Sequence, residues 1–167
     1  MEHQVPSDFV DKARANWQQL RPDLEVSSIE VMGRIGRISA LASVRVERQL
    51  ASAELSRAEF DVLCTLARSE RPLRASEVTA ATMLSGASTT KITERLVKRG
   101  LVERLPSERD GRVVLTQLTQ AGTEMFNLEF PEFLRRDNDL LSGLTPTEQA
   151  KLGSLLRKVA LRLESSS

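Results

Sequence analysis

The chain has 167 residues, of which 40% are hydrophobic and 28% charged, enough for one folded domain and unlike a disordered chain. With one cysteine, one histidine and a net charge of +1, an intramolecular disulfide is excluded and neither a zinc centre nor any other cofactor is expected. No apolar run reaches the roughly 20 residues of a membrane-spanning helix. No basic segment followed by an apolar stretch opens the chain, so a secretory signal is not expected and the location is read as cytoplasmic.

The charge is unevenly placed. Residues 88–112 carry seven basic and four acidic side chains, whereas residues 1–30 carry three basic and six acidic ones. Positive charge gathered in mid-chain is where a polyanion would dock.

In chain order, Asp8 to Leu20 has helical character and stops at Arg21-Pro22, because the residue before proline avoids the helical region. A long helix is predicted from about Ser27 to Ala51, with Ile29, Met32, Ile35, Ile38 and Leu41 along one stripe. Ser56-Arg57-Ala58-Glu59 reads as a capping box opening a helix through Ala67. A short helix over Ala75–Thr82 follows, then a turn containing Gly86, then a helix from Ala87 to Arg99 stopped by Gly100. Leu101–Leu105 and Val113–Leu118 read as strands of a hairpin around Pro106–Gly111. A helix from Gln120 is expected to be interrupted or kinked at Pro131. The last opens on Thr145-Pro146-Thr147-Glu148, a cap with proline at the first helical position, and aligns Leu152, Leu155, Leu156, Val159 and Leu163. The fold class is mainly α with a small β-hairpin wing. The terminal helices hold more apolar surface than a small winged domain covers, so a homodimer is expected.

Two helices joined by a tight turn form a helix-turn-helix, whose second helix can enter the major groove of double-stranded DNA. Its first turn offers Ser88, Thr89, Thr90 and Lys91. Lys91, Arg95 and Lys98 can share its outer side, with Ile92 and Leu96 inward. Read alone, it is equally an amphipathic surface helix. The hairpin tilts the reading, because Arg109-Asp110-Gly111-Arg112 sets two guanidinium groups at or beside a projecting tip, with Asp110 able to brace one of them. Such a tip suits the narrow minor groove.

The stretch Leu84-Ser85-Gly86-Ala87-Ser88-Thr89-Thr90-Lys91, with Gly100-Leu101-Val102-Glu103-Arg104, Asp110-Gly111-Arg112 and Leu118-Thr119-Gln120-Ala121-Gly122, resembles the MarR family of bacterial regulators. The resemblance implies a winged helix-turn-helix over 55–118, an added N-terminal helix over 1–24, and dimerisation helices over 25–54 and 119–164. It also implies a pseudo-palindromic operator, with Arg112 in the minor groove and Asp110 as its orienting partner. A urate-responsive subfamily is similar in placing a Trp in an added N-terminal helix, with an Asp and an Arg where Asp61 and Arg104 stand. Its further arginine falls at Ile92, which cannot pair with an anion. That likeness implies a pocket for a small aromatic or purine-like anion at Trp17, Asp61 and Arg104, between the added helix and the winged domain. Trp17 as a packing anchor and Asp61 as a paired helix charge are the plainer readings.

Other signals point less far. Cys64 reads as a small buried hydrophobe. Gly33-Arg34-Ile35-Gly36 imitates an RNA-binding loop, but it lies in a helical pattern where small residues allow close helix crossing. A ligand-responsive repressor is the leading function, and a winged-helix scaffold acting through protein partners is the alternative. An enzyme would rest on Cys64 and scattered carboxylates alone.

Overall fold

The computed structural model describes residues 6–107, 110 and 112–165, and the chain divides into two compact units, 1–57 and 58–167.

The first unit is a pair of helices, α1 (Phe9–Leu20) and α2 (Ser28–Leu50), followed by a short 3-10 turn, Ala51–Ala53. Asp8 caps α1 in a capping box with Asp11, satisfying amides that have no partner inside the helix. Arg34 of α2 donates to Asp8 at 2.8 Å and to Asp11 at 2.6 Å. The reciprocal backbone bonds of the box, together with Arg34, hold both carboxyls below their ordinary range. Val10 is buried, and its methyl would lie 3.1 Å from a Cβ placed at Gly33. The expectation of a close helix crossing therefore holds at Gly33. It does not hold at Gly36, where a Cβ would meet open space.

The second unit carries α3 (Arg57–Ala67), β1 (Leu73–Arg74), α4 (Ala75–Thr82), α5 (Gly86–Lys98), β2 (Val102–Pro106), β3 (Val114–Leu118), α6 (Gln120–Leu140) and α7 (Pro146–Glu164). The expected hairpin is present, but the sheet has three strands in the order β1-β3-β2, all antiparallel. The two-residue β1 is too short to show alternation in sequence. Phe60, Val62, Leu63, Val78, Leu96 and Val102 are buried. The Phe60 ring meets Phe133 at 5.5 Å, and Phe126 stacks on Phe130 at 4.8 Å. Cys64 is only half-buried.

Two proline and glycine expectations change. An interruption or a kink was expected at Pro131; helix α6 runs through it without interruption. Proline removes only one donor from the ladder of a 21-residue helix. Gly86 is the first residue of α5 rather than part of the turn. The residue with left-handed backbone there is Met83, at φ 56°.

The end of α5 and the start of α6 meet at one point. Gly100, at φ +70°, closes α5 in a double turn in which the Leu101 amide donates to Leu96 and that of Gly100 to Val97. The Thr119 hydroxyl donates to the Gly100 carbonyl at 2.6 Å and accepts from the Gly122 amide at 3.0 Å. The Thr119 amide donates to the Leu101 carbonyl. A Cβ at position 122 would stand 1.9 Å from that carbonyl oxygen. Gly122→Ala is therefore expected to lower stability by at least about 1–3 kcal/mol, since backbone and not a flexible side chain must yield. A denaturation midpoint equal to the parent's, at unchanged denaturant dependence, would contradict this contact.

Candidate nucleic-acid interface

Ser85 caps α5, its hydroxyl accepting from the Ser88 amide at 3.1 Å. The helix then buries Thr89, Thr93 and Leu96, a stripe at i, i+4 and i+7 that turns the intervening positions outward. Ser88, Thr90, Lys91, Arg95 and Lys98 are exposed, and Ile92 is half-buried. The first turn therefore presents two hydroxyls and an ammonium beside a helix N-terminus, a combination suited to phosphate oxygens and base edges.

Thr89 departs from its expected role. Its side chain is 1% exposed, and its hydroxyl accepts from Thr79 of α4 at 2.9 Å while donating to the Ser85 carbonyl at 3.1 Å. It latches the two helices of the helix-turn-helix together and does not face outward. Of three consecutive hydroxyl residues, each turned about 100° from the last, only one can enter the interior. Thr79 was missed in the sequence because it lies ten positions away, with no local pattern joining the pair.

Arg95 also has a partner that spacing did not reveal. Its Nε lies 3.3 Å from Oε1 of Glu59, whose side chain is fully buried, while the arginine side chain itself is 58% exposed. On the wing, Asp110 and Arg112 are exposed. The Asp110 carboxylate accepts from the Arg112 backbone amide at 3.1 Å, and its carbonyl accepts from Val113. Asp110 thus braces the turn through the backbone of Arg112, an Asx-type arrangement. Arg109 lies outside the described residues.

The three residues expected to hold an anion are distributed over both units. Trp17 is on α1 in the first, 49% exposed. Asp61 is half-buried on α3 in the second. Arg104 is on β2, with its guanidinium 4.0 Å from Glu94 of α5. No group of three or more metal-ligating side chains occurs among the described residues, and none of their helices is long and apolar enough to cross a membrane.

Beside the reading head, Arg71 pairs with Glu77 of α4, and Glu77 also accepts from the Arg74 amide at 2.8 Å. The Arg71 hydrogen bond, followed by that of the Arg74 amide, lowers the Glu77 carboxyl to about 2.

This arrangement is a helix-turn-helix followed by a wing, and the comparisons agree with it. A family profile described as the MarR family matches residues 53–113. The regulator PecS of Dickeya dadantii is 33% identical over 159 residues, 94% of this chain and 93% of its own length. The chain belongs to the MarR family. Escherichia coli MarR is 30% identical over 131 residues, covering 75% of this chain and 90% of its own. The solved structure of Bordetella bronchiseptica BpsR, whose DNA binding is regulated by 6-hydroxynicotinic acid, matches with a TM-score of 0.69 at 27% identity, covering 78% of this chain and 98% of its own. This MarR-family chain is accordingly a DNA-binding transcription regulator and not an enzyme.

Two predictions follow the geometry. Thr89→Val keeps volume but removes the latch, and should cost about 1–3 kcal/mol of stability; Lys91→Ala, on the exposed side, should leave the thermal midpoint unchanged. The second concerns acid. The folded pKa of Glu77 lies below its ordinary value, so the stability it contributes is present above pH 4.5 and fades as pH falls toward about 2. The midpoint difference between the parent and Glu77→Gln should narrow across that range; a constant difference would exclude the Arg71 pairing as its source.

Proposed function

We propose that this MarR-family protein is a ligand-responsive repressor that acts as a homodimer on a pseudo-palindromic operator and releases it on binding a small aromatic anion. The observation that carries the reading is the exposed row Ser88, Thr90 and Lys91 on α5, in the same unit as the wing residue Arg112. The reading head docks α5 in the major groove, with Arg112, and Arg109 beside it, at the minor groove. Thr89 serves this surface from behind.

Dimerisation draws on exposed apolar side chains of the terminal helices. Ile38 is 63% exposed on α2, and Leu155 and Leu163 are 50% and 60% exposed on α7. Helix α7 buries none of its residues, yet it is capped at Thr145 as a well-formed helix. An amphipathic helix of this kind is stabilised chiefly by what covers its apolar face. A second copy is the proposed cover.

For the ligand, Trp17 would supply a flat apolar face, Arg104 a planar donor fork, and Asp61 a charge that an incoming anion repels. The 6-hydroxynicotinic acid that regulates BpsR is itself an aromatic acid, which favours this class. Ile92 stands where urate-responsive relatives are expected to hold an arginine, so urate itself should act weakly.

The test is selection of bound fragments from a genomic library, followed by binding assays on the recovered operator. Lys91→Ala should weaken operator binding by about 1–3 kcal/mol if it meets a base. Arg112→Ala should weaken binding and reduce its salt dependence. A scaffold acting through protein partners would lose nothing with Arg112→Ala. Titration with urate and a panel of aromatic acids then examines the ligand. Release of parent, Trp17→Ala and Arg104→Ala at one concentration would reject these residues as ligand contacts.

A further inference from the structure

We propose that Glu59 is a positioning residue for DNA reading, its buried carboxylate holding Arg95 and so fixing the rotation of α5 about its own axis. The proposal rests on the DNA-binding reading above and deepens it by naming what orients the reading surface.

Helix α5 is seated on its neighbours by Thr89, Thr93 and Leu96. Apolar contact is non-directional, so Leu96 alone sets the depth of the helix better than its rotation. Two polar contacts along it oppose rotation, one a hydrogen bond and the other an ion pair. The first is the Thr89 hydroxyl, held by Thr79 of α4 in the first turn. The second is Arg95, two turns further on, whose Nε faces Oε1 of Glu59 on α3 at 3.3 Å. The ties run to different helices, so together they oppose both rotation and sliding.

The burial of Glu59 is what gives the second tie its weight. The glutamate side chain is 0% exposed while that of the arginine is 58% exposed. A carboxylate removed from water strongly prefers an arrangement that keeps a cation against it. Such pairs add little net stability, yet they can select one geometry over near alternatives. Rotation of α5 that carries Lys91 and Thr90 away from the groove also carries Arg95 away from Glu59. The contribution of Arg95 to operator binding therefore passes through Glu59, and the pair acts as a unit.

The experiment uses the full chain and a duplex that the parent selects from a random pool. Affinity is measured on that duplex and on a scrambled one, across salt concentrations, for Glu59→Gln, Arg95→Gln and the double variant, with thermal midpoints alongside. Glu59→Gln should lose tenfold or more in operator affinity while keeping the affinity for scrambled duplex and its salt dependence. A change that only loosened the fold would not alter the ratio of the two affinities well below the midpoint. The double variant should bind the operator no more weakly than Arg95→Gln, and its midpoint should exceed that of Arg95→Gln, which removes the cation facing a buried carboxylate. Parent-like operator binding by Glu59→Gln, or losses that multiply in the double variant, overturns the proposal. Should Glu59→Gln unfold at the assay temperature, Arg95→Lys carries the test. It keeps a cation facing Glu59 and should bind the operator more tightly than Arg95→Gln; equal binding overturns the proposal. A parent that selects no sequence at all overturns the DNA-binding reading itself, before any variant is made.

Discussion

The approach of the α6 backbone to the carbonyl of Leu101 is the constraint on which the winged unit depends. Only a residue without a Cβ fits at position 122, and Thr119 fills the remaining hydrogen bonds by touching Gly100, Leu101 and Gly122 at once. Three elements are thereby tied within a few residues: the exit of α5, the residue just before the strand that leads into the wing, and the entry to α6. The angle at which α5 is presented and the direction in which the wing projects are then set together. The Leu118-Thr119-Gln120-Ala121-Gly122 step is thus a packing device in this chain.

Much of this unit was legible in the sequence because its signals are local. Gly100 marks a left-handed stop, Thr145-Pro146 an N-terminus, and the two hairpin strands are each five residues of mixed apolar and polar character. What was illegible depends on partners distant in the chain. The inward turn of Thr89 requires Thr79 opposite it, and nothing in Ser88-Thr89-Thr90 distinguishes the middle hydroxyl from its neighbours. Glu59 carries the pattern of a helix cap, which accounts for its place in the sequence but not for the Arg95 beside it. Strand β1 shows no period because two residues cannot. Gly86 attracted the turn by its residue type, while the fold imposes the left-handed conformation on Met83. Of the ligand-contact set, Trp17, Asp61 and Arg104 came from resemblance and not from spacing, so their placement on separate elements could not be checked against any local rule.

The first unit obeys a different economy. Asp8, Asp11 and Arg34 form a charged cluster over the contact of Val10 with Gly33, so an electrostatic clasp lies on top of a close apolar fit. Partly exposed pairs of this kind are individually weak. Here they share one guanidinium with a helix cap, and disturbing any member disturbs the start of α1. The added helix is therefore registered on α2 by its first turn, which leaves the register of Trp17 fixed by residues six to nine positions before it.

Met83 has one further consequence. Its left-handed backbone costs an ordinary side chain on the order of 1–2 kcal/mol, and its thioether, 93% exposed, recovers nothing by packing. A glycine would relieve that strain, but it would also let the connection between α4 and α5 sample many more conformations. With methionine there, the turn has few alternatives to the shape observed, and the loss of freedom is met when the chain folds. The paired helices are consequently ordered before any partner is met, so the docking on DNA proposed for them would bear a smaller entropic penalty than a slack connection would impose.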